Sequence, residues 1–197
     1  MRRTREPGPN SHLPNMLDGI RRNTMEEARK LYDQGIDDYR AGEYEEAVEA
    51  LSRARDLFAE AGDRQAEAEA LNDLGVVYIQ MEEWEPAQAA LQEALTIRRE
   101  LEDRSGQGIT LGNLGMLYER QGDREQAIET YEQARAIFEE LGEKGNEKAV
   151  ARQLDRLQKG SLLERLTAML GFGSGDDEDE ESETMDTDWE PVEGEES

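Results

Sequence analysis

Residues 71–95 read LNDLGVVYIQMEEWEPAQAALQEAL, and residues 111–135 read LGNLGMLYERQGDREQAIETYEQAR. The second stretch follows the first by 40 residues, and a weaker copy, LYDQGIDDYRAGEYEEAVEALSRAR, stands 40 residues before it at 31–55. Gly35, Gly75 and Gly115 fall in phase, as do Ala47, Ala87 and Ala127, then Ala54, Ala94 and Ala134, and finally Leu57, Ile97 and Ile137. Three copies at one spacing form an internal repeat. Repeats of this length are supersecondary units that bury their apolar faces by stacking on one another.

Each copy has two halves. Leu71, Leu74, Val77 and Tyr78 recur at three- and four-residue steps, and Ala87, Leu91, Ala94 and Ile97 do the same. Both halves are therefore read as amphipathic helices. Short breaks separate the halves at Ala41-Gly42, Met81-Glu82 and Gln121-Gly122-Asp123, and separate the copies at Ala61-Gly62-Asp63 and Glu102-Asp103. Such breaks suit turns between antiparallel helices. Thr24-Met25-Glu26-Glu27 has the capping-box pattern, so the first of six helices is expected to start there and the last to end at Leu141. Pro86 falls in a first turn, where its missing N–H costs little. Small residues at Gly75, Ala87, Gly115 and Ala127 let paired helices approach closely, and the large phased residues are expected to fill the space between copies.

The pattern resembles the tetratricopeptide repeat, a helix-turn-helix unit with a large residue, Leu-Gly and Tyr in its first helix and Ala, a large residue and Ala in its second. Leu71, Leu74, Gly75, Tyr78, Ala87, Leu91 and Ala94 match it, as do Leu111, Leu114, Gly115, Tyr118, Ala127, Tyr131 and Ala134. Copy one keeps Leu31, Gly35, Ala47, Leu51 and Ala54, with Gln34 and Asp38 at the other two positions. The period of 40 exceeds the family's usual spacing and resembles the longer-helix variant of kinesin light chains. The expected architecture is all-α, an α-solenoid of three helix-turn-helix repeats over about 28–67, 68–107 and 108–147. A capping helix is expected at about 146–159, with Ala151, Leu154 and Leu157 inward and Asp155 at the position where glycine would be in phase. Gly160 is read as its stop. A second helix at 161–171 presents Leu162, Leu163, Leu166, Met169 and Leu170 on one face, which either folds back over the stack or serves self-association. A basic, proline-containing segment (1–23) and an acidic tail (172–197) flank the repeat domain (24–160) and are read as flexible.

Forty-eight Asp and Glu against 23 Lys and Arg leave a formal charge of −25. Residues 176–197 alone carry thirteen acids and no base. So acidic a body repels phosphate backbones and anionic bilayers, and neither nucleic acid nor membrane is an expected partner. The composition resembles that of halophilic proteins, whose carboxylates keep the surface hydrated. Pro7, Pro9 and Pro14 interrupt the place where a leader's apolar stretch would stand, and a cytoplasmic location is expected. There is no cysteine and one histidine, His12, so no thiolate site or histidine-based triad belongs to the repeats. With no phosphate loop and no carboxylate in an apolar pocket, no enzyme activity, metal or cofactor is expected.

What the resemblance implies is a binding platform, with ligands along the concave surface of the first helices. In copy one that surface maps to Arg29, Tyr32, Asp33, Ile36, Tyr39 and Arg40, and in copy two to Asn72, Asp73, Val76, Ile79 and Gln80. Copy three supplies Ile109, Asn113, Met116, Glu119 and Arg120, and the cap Arg152 and Arg156. Asn113 matches the family's backbone-holding Asn; Asp73 replaces it in copy two. Apolar anchors with amides suit an extended peptide. Arg120, Arg152 and Arg156 give the groove a basic end, unless they pair with neighbouring Glu. The expected function is a protein-interaction scaffold with a peptide ligand. The alternative is a module driven by its tail, in which the acidic run Asp176–Glu181 and Met185, Trp189 and Val192 engage a basic partner or the chain's own groove, with the repeats serving dimerisation or placement.

Overall fold

A computed structural model describes residues 13–170, with side chains for 19–160. Residues 1–12 and 171–197 lie outside the described residues, and with them the expected acidic tail (172–197) and the first part of the expected N-terminal segment (1–23). The described backbone is helical: α1 (Leu13–Ala41), α2 (Tyr44–Ala61), α3 (Arg64–Gln80), α4 (Trp84–Glu100), α5 (Arg104–Arg120), α6 (Arg124–Leu141) and α7 (Lys144–Leu170). The fold is an all-α repeat fold. The chain divides into two compact units, Met1–Leu101 and Glu102–Ser197. In the first, α1 packs on α2, α2 on α3 and α3 on α4; in the second, α5 packs on α6 and α6 on α7.

The turns obey a stricter rule than the sequence suggests. Residues 42, 62, 82, 102, 122 and 142 all have positive φ, at 80°, 73°, 58°, 56°, 80° and 74°. The 40-residue period is thus two half-repeats, each a helix and a left-handed turn residue. The turn closes with an amide reaching back over the helix end, as in Asp63 N to Phe58 O at 2.9 Å and Asp123 N to Tyr118 O at 2.8 Å. Four of the six positions are glycine, but Glu82 and Glu102 hold the same conformation with a side chain attached. A left-handed residue with a Cβ costs about 1–2 kcal/mol, partly offset by the greater chain entropy that glycine loses on folding. Glu82→Gly and Glu102→Gly are each expected to stabilise the chain by up to about 1 kcal/mol, read as a higher urea midpoint at unchanged slope.

Asp63, Asp103 and Asp123 cap the helices that follow them, accepting from the amides of Ala66, Gly106 and Gln126 at 3.1, 2.9 and 3.1 Å. At the first position of α3, Arg64 donates to Glu67 and Glu100 at 2.8 and 2.9 Å. Forty residues on, Arg104 repeats the arrangement with Gln107 and Glu140 at 3.2 and 2.6 Å. Each clamp ties the start of a first helix to the end of the second helix of the same repeat.

Glycine explains the helix pairing. A Cβ on Gly35, Gly75 or Gly115 would lie 2.6, 2.5 or 2.6 Å from the side chain of Leu51, Leu91 or Tyr131. The large phased residues therefore fill the space vacated by the glycine of their own copy, in addition to any role between copies. Leu51, Leu91 and the phased alanines Ala47, Ala54, Ala87, Ala94, Ala127 and Ala134 are fully buried.

Two boundaries differ from the expectation. Helix α1 begins at Leu13, not at Thr24. Because the chain is already helical upstream, the Thr24 hydroxyl donates to the Ile20 carbonyl at 3.1 Å, the usual bond of a threonine inside a helix. Helix α7 runs unbroken through Gly160 to Leu170, so 146–159 and 161–171 are not separate helices. Gly160 makes room for Arg124 instead. A Cβ there would lie 2.8 Å from the guanidinium, which donates to the Leu157 carbonyl.

Candidate functional site

In the first unit, α1 and α3 are tied side by side by the Tyr32 hydroxyl, which donates to Asp73 Oδ2 at 2.5 Å. Asn72 donates to the other oxygen at 3.3 Å, and the Tyr32 ring meets Phe58 edge-on at 6.3 Å. Burial pushes the Asp73 carboxyl above its ordinary range, against the downward pull of Tyr32, Asn72 and the buried Arg98. Burial, with the Asp73 charge, likewise raises the Tyr32 phenol. Tyr32 and Asp73 thus answer each other's polar groups.

The pair carries a pH signature. A carboxyl whose folded-state pKa is raised stabilises the fold below its unfolded value of 3.8, and that contribution is lost as pH rises through the folded value. At neutral pH the ionised Asp73 is a net cost. Asp73→Asn, the residue found in phase at Asn113, keeps an acceptor for Tyr32 without the charge. The thermal midpoint of this variant is expected to exceed the parent's at pH 7, the gap closing as pH falls toward 4. Midpoints measured across that range check it, and a gap that widens on acidification would contradict the assignment.

Along the same face Ile36 and Tyr39 are half-buried against the core, with Tyr39 tilted on Tyr44 at 6.0 Å. Val76 and Gln80 are also half-buried, whereas Arg29, Asp33 and Arg40 are exposed. Arg40 lies 3.5 Å from Asp37. Two expected ligand contacts turn inward: Ile79 is fully buried and Asn72 nearly so, so both pack rather than face a ligand.

In the second unit Asn113 and Met116 are buried as well, which removes them from the accessible face. Ile109 and Arg120 are half-buried and Arg152 exposed. Arg156 donates to Glu119 at 2.6 Å and to Gln153 at 2.7 Å, while Tyr131 donates to the other Glu119 oxygen at 3.1 Å. The expected basic end is thus weakened, because one of its three guanidinium groups already holds a carboxylate. The backbone of the expected self-association face at Leu162, Leu163, Leu166, Met169 and Leu170 belongs to α7; those side chains lie outside the described residues.

The first unit also has a concavity that the groove reading passed over. An open hollow of about 1170 Å³ lies where α1 passes the turn between α2 and α3, lined by Arg21, Arg22, Met25, Arg29, Arg64 and Leu101, with Glu26 and Asp63. A smaller cleft of about 230 Å³ shares Arg29, Asp63 and Gln65 with it and continues to Tyr32, Phe58 and Glu69. The signal was present in the sequence as Arg21, Arg22 and Arg29, but Arg21 and Arg22 stood in a segment not read as helix. Among the described residues there is no cluster of three or more His, Asp or Glu placed to hold a metal. No described helix is long and apolar enough to cross a membrane.

No curated protein matches this sequence. Among solved structures, the fold is similar to aspartyl phosphate phosphatase F from Bacillus subtilis, with a TM-score of 0.61 at 17% identity, covering 75% of this chain. The chain spans 42% of that phosphatase. It is also similar to nearly identical TPR-like repeats assigned to a kinesin light chain of Podospora anserina, with a TM-score of 0.58, 19% identity and coverage of 75% and 77% of the two chains. For the N-terminal domain of stress-induced protein-1 from C. elegans the values are 0.55, 15%, and 68% and 97%. A sequence model of the tetratricopeptide repeat matches residues 26–100, 87–140 and 107–154. With the helix pairs, the phased glycines and that match in agreement, the chain belongs to the tetratricopeptide repeat family.

Proposed function

We propose that this chain is a non-enzymatic protein-interaction scaffold that binds a peptide or protein segment on the exposed faces of its first helices. One observation carries the reading. On α1 and α3, Ile36, Tyr39, Val76 and Gln80 are half-buried beside the exposed Arg29, Asp33 and Arg40. Apolar area at the centre of a contact supplies affinity, and a polar rim sets register and excludes wrong partners. Burial of Ile79 and Asn72 narrows the face in the first unit but leaves this strip accessible. In the second unit Arg120 and Arg152 supply the corresponding polar groups.

The second reading is recognition by the acidic tail, favoured by its thirteen acids without a base. Capture from native lysate with the full-length chain as bait separates the two. Ile36→Asp and Val76→Asp, each checked for unchanged helicity by circular dichroism, are expected to lose the same bound proteins as judged by mass spectrometry. Proteins kept by both variants, yet lost from a chain stopped at Gly175, would place recognition in the tail.

A further inference from the structure

We infer that the binding face of the first unit extends to the cleft beside Arg29, and that this end takes an acidic segment of a partner protein with an apolar side chain next to a carboxylate. The inference rests on the first-helix reading above and names the chemistry of its ligand.

Arg29 lines two adjoining cavities, the hollow of about 1170 Å³ that holds Arg21 and the cleft of about 230 Å³ that holds Tyr32 and Phe58. The cleft has an aromatic base. Tyr32 and Phe58 meet edge-on, Ala66 packs with them, and the Tyr32 hydroxyl is already spent on Asp73. With that polar group answered, the ring offers apolar surface, and the volume suits one aliphatic or aromatic side chain. The acids of the cleft are committed: Asp63 caps Ala66, and Glu69 accepts from Gln65 at 3.3 Å. Arg29 is exposed, and among the described residues it holds no acid in an ion pair.

The hollow follows the same logic. Arg64 is held by Glu67 and Glu100, and Arg22 has a partner of its own. Arg21 is exposed and, among the described residues, also holds no acid. With Asp63 engaged as a cap, Glu26 is the lining acid left to oppose Arg21 and Arg29. Met25 and the exposed Leu101 supply apolar surface.

Spacing sets the ligand. Arg21 and Arg29 stand eight residues apart on α1, about 12 Å along the helix axis, and an extended peptide covers that distance in about four residues. Two carboxylates at that separation answer both guanidinium groups, and an apolar side chain beside the one at Arg29 fills the cleft. The formal charge of −25 does not forbid the contact, because the screening length is about 8 Å at physiological ionic strength and the nearest groups decide.

The probe is a capped peptide, Asp-Gly-Ser-Ser-Asp-Leu, titrated into the isotope-labelled full-length chain. Saturable amide NMR shifts are expected at residues 21–32 and 62–69, with half-saturation below about 1 mM. Arg29→Gln should raise the half-saturation about tenfold, as loss of a charged hydrogen bond does, and Arg29→Lys, which keeps the charge without the fork, should fall between. Replacing the probe's leucine by alanine should weaken binding by about tenfold as well. Equal binding of a probe with both aspartates changed to asparagine, equal shifts from inorganic phosphate, or indifference to Arg29→Gln would overturn the assignment. Shifts centred on Ile36, Tyr39 and Val76 would keep the first-helix face and overturn its extension to the cleft. Shifts at residues 21–32 that grow with protein concentration before any probe is added would make a second copy the occupant. No saturable shift up to about 10 mM would overturn the acidic ligand alone, since the lysate capture with Ile36→Asp and Val76→Asp decides the wider reading separately.

Discussion

Phe138→Ala is expected to destabilise the second unit by about 3–5 kcal/mol, the range for removing a buried aromatic ring from a packed core. Phe138 is the largest side chain in the molecule with no exposure among the described residues. Its carbonyl also receives the Glu143 amide that closes the turn after α6, at 2.9 Å. The ring presses on α5 at a glycine: a Cβ on Gly108 would lie 2.7 and 2.8 Å from its Cε1 and Cζ atoms. That contact supplies a check independent of the size of the loss. Gly108→Ala alone forces the ring aside, at a cost that opposes the roughly 1 kcal/mol by which alanine is the better helix former. In the Phe138→Ala background the clash is gone, and the same substitution should stabilise. Urea denaturation of the four proteins reads both effects. A loss below about 1 kcal/mol for Phe138→Ala, or the same sign for Gly108→Ala in both backgrounds, would show that the ring is not packed as described.

The helix pairs were legible because the repeat states each of them three times, and an in-phase glycine or alanine carries a packing instruction that composition does not. The boundaries were less so. Thr24 satisfies a capping pattern, yet a threonine preceded by residues that are already helical has a carbonyl four residues back and bonds to that. Gly160 has the look of a stop, but a glycine inside a helix also serves close approach, and only the position of Arg124 distinguishes the two. Glu82 and Glu102 gave no sign of their left-handed backbone except their 20-residue phase with four glycines.

The candidate site was legible in outline and blurred at its edges. Helix steps of 100° place Asn72, Val76, Ile79 and Gln80 around the margin of one stripe, where a small rotation decides between groove and core. Ile79 follows Gly75 by four residues, and Gly75 faces Leu91 on α4, so Ile79 falls on the packed side while Val76 and Gln80 stay half-exposed. Charges were harder still. Arg98 sits in an ordinary Ile-Arg-Arg-Glu run, yet it is buried and acts on Asp73, and no periodicity announces a guanidinium in the core. Arg156 showed the reverse: it read as a free end of the groove, but Glu119, placed 37 residues earlier on another helix, already holds it.

Gly75→Val is expected to be the most damaging single-residue enlargement in the first unit. A first carbon at position 75 would stand 2.5 Å from Leu91 Cγ, 2.7 Å from Cδ2 and 3.3 Å from Cδ1. Leu91 is fully buried, and its neighbours Ala87 and Ala94 on α4 are buried as well, so it has little room to turn aside. Overpacking of this kind costs about 1–3 kcal/mol and occasionally more, and the two further methyl groups of valine put it at the upper end. Valine recovers only a few tenths of a kcal/mol through its helix propensity over glycine, too little to change the sign. Loss of tertiary structure and a lower thermal midpoint in the full-length protein are the expected results. The control is Leu91→Ala, which on its own should cost about 2–5 kcal/mol by leaving a cavity. Because the valine occupies the space that the leucine leaves, the double variant should be more stable than the sum of the two single losses by about 0.5–3 kcal/mol. Simple additivity would mean that the glycine at 75 is retained for backbone reasons alone, and the close helix approach assigned to it, together with its counterparts at 35 and 115, would then need another cause.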